Sequence, residues 1–165
     1  DEISALTQAT INGLIPFERS FKLRCKILSD VPVKKVQEIA QKVKLNQSIV
    51  NFLNENKDNS YIVTGNIYEW IEPIINKLGC KIICSQGKLI SLEKIINKGD
   101  VIKGLKKKNN SIISIGDGMG DVLMFEESDV SVAFGGVHEP IETLMKVSDF
   151  LVYEEDSLCR LLNTL

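Results

Sequence analysis

The sequence has 165 residues, of which 44% are hydrophobic and 25% are charged, and its formal net charge is −2 at pH 7. A chain of this size and composition is typical of one folded domain with at most a small appended subdomain. The near-neutral charge argues against a dedicated nucleic-acid binder, and no apolar run approaches the roughly 20 residues that cross a bilayer, so we expect no membrane partner. The four cysteines form no CxxC pair and no zinc-binding pattern, which predicts reduced thiols and a cytoplasmic protein.

The first 46 residues have the pattern of short amphipathic helices. Apolar residues at helical spacing predict three helices, over residues 3–12, 17–28 and 33–43. Gly13 and Pro16 separate the first two helices, and a turn that includes Pro32 precedes the third. We therefore expect residues 1–46 to form a helical subdomain.

From residue 47 onward, predicted helices alternate with predicted strands. The helices cover residues 47–56, 67–78, 98–107, 122–127, 140–146 and 157–162, and the strands cover residues 61–63, 81–84, 111–115, 130–134 and 150–152. Gly87 marks a turn into a second short apolar piece. Continuous apolar strands that alternate with helices indicate a parallel sheet covered on both faces. The predicted fold class is α/β, with a Rossmann-like parallel sheet over residues 47–165 and a small helical cap over residues 1–46.

The most informative stretch is residues 116–121, Gly-Asp-Gly-Met-Gly-Asp, which we call the acidic loop. It follows a predicted strand, and parallel sheets bind ligands beyond the carboxyl ends of their strands. A dinucleotide-binding GxGxxG needs glycine where Asp121 stands, and no Gly-Lys-Ser/Thr follows to make a P-loop. A single Asp here is typical of a helix cap, whereas Asp117 and Asp121 together in a glycine-rich turn favour Mg²⁺.

Three other candidates are weak on their own. Residues 64–66, Thr-Gly-Asn, follow a predicted strand and suit phosphate oxygens, although the same tripeptide makes ordinary turns. Lys98 opens a predicted helix, where it is either a surface charge or a neutralising charge for phosphate. The only histidine, His138, lies in the loop of residues 135–139, and we expect it at a rim or a helix entry rather than in catalysis.

The order of these candidates resembles the haloacid dehalogenase-like (HAD) superfamily of phosphatases. Thr64 matches the second motif of that superfamily, Lys98 its third and the acidic loop its fourth. Residues 13–24 match the cap pattern Gly-x-x-x-Phe-x-x-Ser-x-x-x-Arg of the phosphoserine phosphatase branch, with Arg24 as the last residue. The resemblance covers essentially the whole chain.

The resemblance implies roles for the charged residues. Asp117 would ligate Mg²⁺, and Asp121 would be a supporting or metal-site carboxylate. Lys98 would offset the negative charge of the phosphate and of the nucleophile. Arg24 would take the substrate's carboxylate, a task that suits a bidentate guanidinium, the alternative being a surface arginine on a helix.

The resemblance also implies that Thr64, with the amides of Gly65 and Asn66, holds the phosphoryl oxygens. The sequence departs from the family pattern at two positions. Gly120 replaces the usual Asn of the fourth motif, and Asn66 stands where phosphoserine phosphatases usually have glycine. The second departure lies in the segment that the resemblance assigns to the phosphoryl oxygens.

The family's first motif, Asp-x-Asp-x-Thr/Ser, does not occur in these residues. Its leading Asp is the nucleophile, and its strand lies between the one that ends at Thr64 and the one that ends at Ile115. Two strands left unpaired in a core are costly, so we expect an upstream segment that carries this motif.

The predicted function is Mg²⁺-dependent hydrolysis of a small phosphorylated metabolite, with phosphoserine as the first substrate to try. The reaction would pass through an aspartyl-phosphate on the upstream Asp. A non-catalytic phosphatase-like binding or regulatory protein is the alternative, and phosphotransfer to an alcohol acceptor uses the same residues. The sequence does not indicate the oligomeric state of the protein.

Overall fold

The computed structural model describes residues 2–88, 91–108 and 111–165. The helices are α1 (Glu2–Ile11), α2 (Phe17–Ile27), α3 (Val33–Gln41), α4 (Gln47–Glu55), α5 (Tyr68–Ile75), α6 (Lys98–Lys106), α7 (Val122–Glu126), α8 (Glu142–Met145) and α9 (Glu155–Leu162). The strands are β1 (Tyr61–Ile67), β2 (Lys81–Lys88), β3 (Ser91–Lys94), β4 (Ile113–Gly116), β5 (Val130–Phe134) and β6 (Phe150–Val152). Short 3-10 turns cover Leu28–Asp30 and Met119–Asp121. The chain divides into two compact units, which we describe separately.

Unit one comprises Asp1–Leu45 and Asn56–Ile96 and contains a three-stranded sheet in the order β1-β2-β3. Strands β1 and β2 are parallel, and β2 and β3 form an antiparallel pair. The apolar faces of α2 and α5 meet the end of β1 in a small core built on Phe21, Cys25 and Ile67. Unit one therefore joins the helical N-terminal residues to part of the predicted sheet.

Strand β1 is longer than predicted because residues 64–66 lie inside it rather than in a loop after it. Thr64 pairs with Cys84 and Ile67 pairs with Ser85, which leaves Gly65 and Asn66 as a bulge. Pairing resumes because Ile67, only 1% exposed, is buried in the core. We call residues 64–66 the Thr64 bulge.

The turn predicted at Gly87 lies instead inside β2. Gly87 pairs with Leu92 of β3 and has φ of 112°, a conformation that a residue with a Cβ rarely adopts. The register shifts between residues 86 and 87. Part of the short apolar piece predicted after Gly87, residues 89 and 90, lies outside the described residues.

Unit two comprises Asn46–Glu55 and Asn97–Leu165 and contains a parallel three-stranded sheet in the order β4-β5-β6. Side chains from α6, α7, β5 and α8 share its core, namely Ile102, Met124, Phe125, Ala133 and Leu144. Helix α4 joins this unit by packing on α9, where the Ser48 hydroxyl donates to Asp156 at 2.7 Å. The acidic loop therefore follows an edge strand of this parallel sheet.

The predicted fold class, α/β with parallel strands, is confirmed, and β3 adds one antiparallel strand. The division into a cap of residues 1–46 and a core of residues 47–165 stays a prediction. β1 and β4 each stand at the end of their own sheet order, and the expected strand of the first motif stays a prediction as well.

The cysteines are free thiols, as predicted. Cys25 is buried, and burial raises the pKa of its thiol. No helix in the described ranges has both the length and the apolar character that crossing a bilayer requires.

Candidate active site

The Asp121 side chain organises the acidic loop. The residue as a whole is 5% exposed, and its side-chain Oδ2 accepts the main-chain N–H groups of Asp117 and Gly118, both at 3.1 Å. Its Oδ1 accepts from the Lys98 ammonium at 2.5 Å. Charge-assisted hydrogen bonds of this kind are stronger than neutral ones, so the carboxylate holds the loop in one conformation.

The glycines of the acidic loop differ in how much space surrounds them. A Cβ on Gly116 would lie 2.5–2.6 Å from the Asp121 carboxyl group, so the close approach of this carboxylate to the strand end requires glycine. A Cβ on Gly120 would meet nothing within 4 Å. Gly116 is therefore required by packing, whereas Gly120 is not.

Asp117 is half-buried at the carboxyl end of β4. Its main-chain N–H donates to Asp121, and its carbonyl accepts the N–H of Ile141 at 3.1 Å. Its carboxylate has no hydrogen-bond or ion-pair partner among the described residues. The side chain is thus available to a ligand while its own peptide is held.

Asp117 and Asp121 fit the donor set that Mg²⁺ uses, which is one or two carboxylates completed by water and phosphate oxygens. Asp117 offers an unpaired carboxylate, while both oxygens of Asp121 already accept hydrogen bonds from the protein. This difference favours Asp117 as the direct ligand and Asp121 as its support. Within the described part of the chain, no group of three or more His, Cys, Asp or Glu side chains could hold a metal by itself.

Lys98 is positioned by the start of α6. The Asn97 side chain caps this helix by accepting the Asp100 N–H at 3.3 Å. The Lys98 side chain is 21% exposed and pairs with the Asp121 side chain, which is 7% exposed. A partly buried pair is screened less than a surface pair, so this ion pair holds the ammonium beside the acidic loop more firmly than a surface pair would.

The Thr64 bulge is closed by hydrogen bonds within unit one. The Thr64 hydroxyl oxygen accepts the main-chain N–H of Asn66 at 3.2 Å. The Gly65 carbonyl accepts the Ser85 hydroxyl at 2.8 Å. The Asn66 side chain is exposed, so the bulge presents a polar side chain to solvent.

Ser85 is a residue of the candidate site that the sequence analysis did not identify. It is 0% exposed, and its oxygen also accepts the main-chain N–H of Ile96 at 3.2 Å. The predicted strand ended one residue earlier, at residue 84. The available sequence signal was a hydroxyl immediately after an apolar run. In the structure, this one side chain hydrogen-bonds both to the Thr64 bulge and to the segment that follows β3.

Arg24 lies on an aromatic platform in α2. Its guanidinium carbon is 5.9 Å from the centroid of the Phe17 ring and 5.7 Å from that of Phe21, and the two rings stack at 5.8 Å. The Arg24 Nε is buried and has no hydrogen-bond partner among the described residues. Buried donors are usually paired, so this unpaired Nε is an exception within unit one.

Phe17 connects Arg24 to the Thr64 bulge. A Cβ on Gly65 would lie 2.9 Å from the Phe17 ring, so the ring packs directly on this glycine. The predicted residues therefore form two groups. Unit one brings together Arg24 and the Thr64 bulge, and unit two brings together Lys98 and the acidic loop. The roles assigned to all of them stay predictions, and His138 is exposed in the loop after β5.

Curated proteins similar to this chain are phosphoserine phosphatases. That of Methanocaldococcus jannaschii is 24% identical over 152 residues, which are 81% of this chain and 72% of that protein. That of Campylobacter jejuni subsp. doylei is 26% identical over 152 residues, with 81% and 73% covered. That of Archaeoglobus fulgidus is 24% identical over 174 aligned positions, with 94% of this chain and 49% of that protein covered. No protein-family model matches the chain.

Solved structures show the same fold. A substrate-bound phosphoserine phosphatase complex superimposes with a TM-score of 0.76 at 22% identity, over 100% of this chain and 85% of that one. A phospho-aspartyl intermediate analogue of phosphoserine phosphatase gives a TM-score of 0.75 at 22% identity, over 99% of this chain and 85% of that one. The α/β fold is therefore shared along the whole chain.

Proposed function

We propose that this chain carries out Mg²⁺-dependent hydrolysis of a small phosphate monoester. Its resemblance to HAD-like phosphoserine phosphatases is confirmed in sequence and in fold. The similarity to these phosphatases supports the class of phosphoric monoester hydrolase. The observation that carries the proposal is the cluster of Lys98, Asp117 and Asp121 in unit two. One carboxylate is unpaired while the other is fixed by a lysine and two amides.

In this proposal Asp117 would hold Mg²⁺, which would supply positive charge to the transferring phosphoryl group. Asp121 keeps the acidic loop folded, so that the Asp117 peptide does not reorganise during the reaction. Lys98 adds a fixed positive charge beside the loop. Charges that are preorganised in a partly dry site stabilise a transition state more than mobile charges in water.

The phosphate and the remainder of the substrate would bind at unit one. The Thr64 oxygen already accepts an N–H from Asn66, so its O–H is left to donate to a phosphoryl oxygen. Gly65 lets the Phe17 ring, on which Arg24 lies, pack directly on the main chain of the Thr64 bulge. Arg24 would pair with the carboxylate of phosphoserine, because its Nε has no partner and its guanidinium is held against two aromatic rings.

The nucleophile would be an Asp outside these 165 residues. No Asp-x-Asp occurs in the sequence, and one structural neighbour is a phospho-aspartyl intermediate analogue. We therefore propose that an upstream Asp forms an aspartyl-phosphate, which water then hydrolyses. Residues 1–46 would act as the cap that carries Arg24, and residues 47–165 as the core.

Two other functions remain open to test. A non-catalytic phosphatase-like binding protein is favoured by the missing Asp-x-Asp and by Gly120. Phosphotransfer to an alcohol acceptor uses the same residues, and the ratio of released phosphate to phosphorylated acceptor distinguishes it from hydrolysis.

The free thiols support a cytoplasmic location.

The proposal predicts that Asp117→Asn in the full-length protein lowers Mg²⁺-dependent phosphate release from phosphoserine by roughly a hundredfold or more, because the direct metal ligand is lost. Asp100→Asn removes the same charge from an exposed position at the start of α6 and should leave the rate within about twofold, as surface substitutions do. Retained Mg²⁺-dependent activity in Asp117→Asn would refute the metal assignment.

A further inference from the structure

The Asp117 peptide is held on both sides. Its N–H is fixed by Asp121, from within the acidic loop, and its carbonyl is fixed by the N–H of Ile141, from a separate segment that follows β5. Because the Asp117 carboxylate has no protein partner in the described ranges, the peptide is what sets the origin and direction of the side chain. A group that holds the peptide therefore also affects how strongly the carboxylate binds a ligand.

The Ile141 donor belongs to a fixed part of the molecule. Pro140, immediately before it, is fully buried. The Ile141 carbonyl accepts the N–H groups of Leu144 at 3.0 Å and Met145 at 3.1 Å, and these are the first hydrogen bonds of α8. Leu144 is 0% exposed in the core of unit two. The position of the Ile141 N–H thus depends on core packing rather than on a mobile loop.

The segment on the other side of Pro140 is tied to β6. The Gly135 N–H donates to the Val152 carbonyl at 2.8 Å. The Tyr153 ring covers Gly135 so closely that a Cβ would clash with it, and the Tyr153 hydroxyl donates to Glu139 at 2.7 Å. The loop after β5 is therefore anchored at both ends, and the Ile141 N–H lies where this anchored loop meets the acidic loop.

We infer that the main-chain N–H of Ile141 is a positioning group for Asp117, so that the affinity of the protein for a divalent cation depends on it. The inference rests on the proposed role of Asp117 as the Mg²⁺ ligand. When this hydrogen bond is absent, the Asp117–Gly118 peptide is held only by the bond from the Gly118 N–H to Asp121, and cation binding must order this peptide as well as the Asp117 side chain. That ordering costs free energy which the native protein has already supplied during folding.

Proline at position 141 tests this one N–H. Ile141 has φ of −66°, which matches the φ fixed by proline, so Ile141→Pro removes the donor at a compatible backbone angle. Ile141→Ala is the matched control, because it also removes the partly buried side chain but keeps the N–H. In the full-length protein, Mn²⁺ binding measured by electron paramagnetic resonance without substrate reports cation affinity directly.

We expect Ile141→Pro to bind Mn²⁺ about three- to tenfold more weakly than Ile141→Ala, the range that corresponds to one net hydrogen bond. Its KM for phosphoserine should equal that of the control, and excess Mg²⁺ should restore its kcat. Equal Mn²⁺ affinities in the two variants would overturn the inference. If the wild type neither binds Mn²⁺ nor releases phosphate, the proposed function fails and the inference fails with it.

A second measurement needs no folded proline variant. In the wild type, Mg²⁺ should slow hydrogen exchange of the Ile141 amide and leave the Gly135 amide, which bonds to Val152, unchanged. The effect should vanish in Asp117→Asn. An Ile141 amide that does not respond to Mg²⁺ in a wild type that binds the cation would contradict the positioning role.

Discussion

At the scale of single residues, the candidate site depends on side chains that are fixed by close contacts rather than on charge alone. Asp121 is an acceptor for three donors, and Arg24 rests on two stacked rings. Gly116 and Gly120 both belong to the acidic loop, yet only Gly116 lies against another side chain. The matched pair of glycines provides a test of how tightly Asp121 must pack.

Gly116→Ala is expected to lower both stability and activity. The new Cβ would force the Asp121 carboxyl group away, at a cost of about 1–3 kcal/mol for overpacking, and the two amides and Lys98 would lose their acceptor. Gly120→Ala has open space and should leave the melting temperature unchanged or slightly raised. Thermal unfolding and phosphate release of both variants check this, and equal behaviour of the two would contradict the assigned packing.

At the scale of elements, β1 and β2 illustrate what the sequence could and could not predict. The parallel pairing followed from two apolar runs separated by a helical pattern, and the strand starts at residues 61 and 81 were correct. The Thr64 bulge was not predictable, because Ile67 rejoins the strand through packing with α2 that no local pattern encodes. The same holds for Ser85, whose two partners are distant in sequence.

Ser85→Ala is expected to cost about 1–3 kcal/mol, because the Gly65 carbonyl and the Ile96 N–H lose their partner in a buried place. A loosened Thr64 bulge should also raise KM for phosphoserine more than it lowers kcat. Ser131→Ala is the control. Ser131 is also buried, at 2% exposed, and its hydroxyl donates to Asp149, but both of these residues lie in unit two. If both serine variants change stability and KM alike, Ser85 has no particular link to substrate binding.

At the scale of the whole molecule, the α/β class was predictable because apolar strands alternate with helices, and the resemblance to HAD-like phosphatases was predictable because Thr64, Lys98 and the acidic loop occur in a fixed order along the chain. That order did not predict the ion pair of Lys98 with Asp121, which forms in unit two, where α6 and α7 pack together. Nor did it predict the contact of Ile141 with Asp117. A main-chain hydrogen bond between two loops leaves no signature in side-chain types, so only the structure reveals it.

The central proposal is that this chain is part of a Mg²⁺-dependent phosphatase whose nucleophile is an Asp outside these 165 residues. The most direct measurement is phosphate release from phosphoserine by the full-length protein, with and without Mg²⁺, together with the mass of the protein quenched during turnover. The account predicts Mg²⁺-dependent release and a phosphate adduct on an Asp upstream of residue 1. The absence of both release and adduct in a folded full-length protein that binds Mn²⁺ would contradict it and would favour the non-catalytic binding protein.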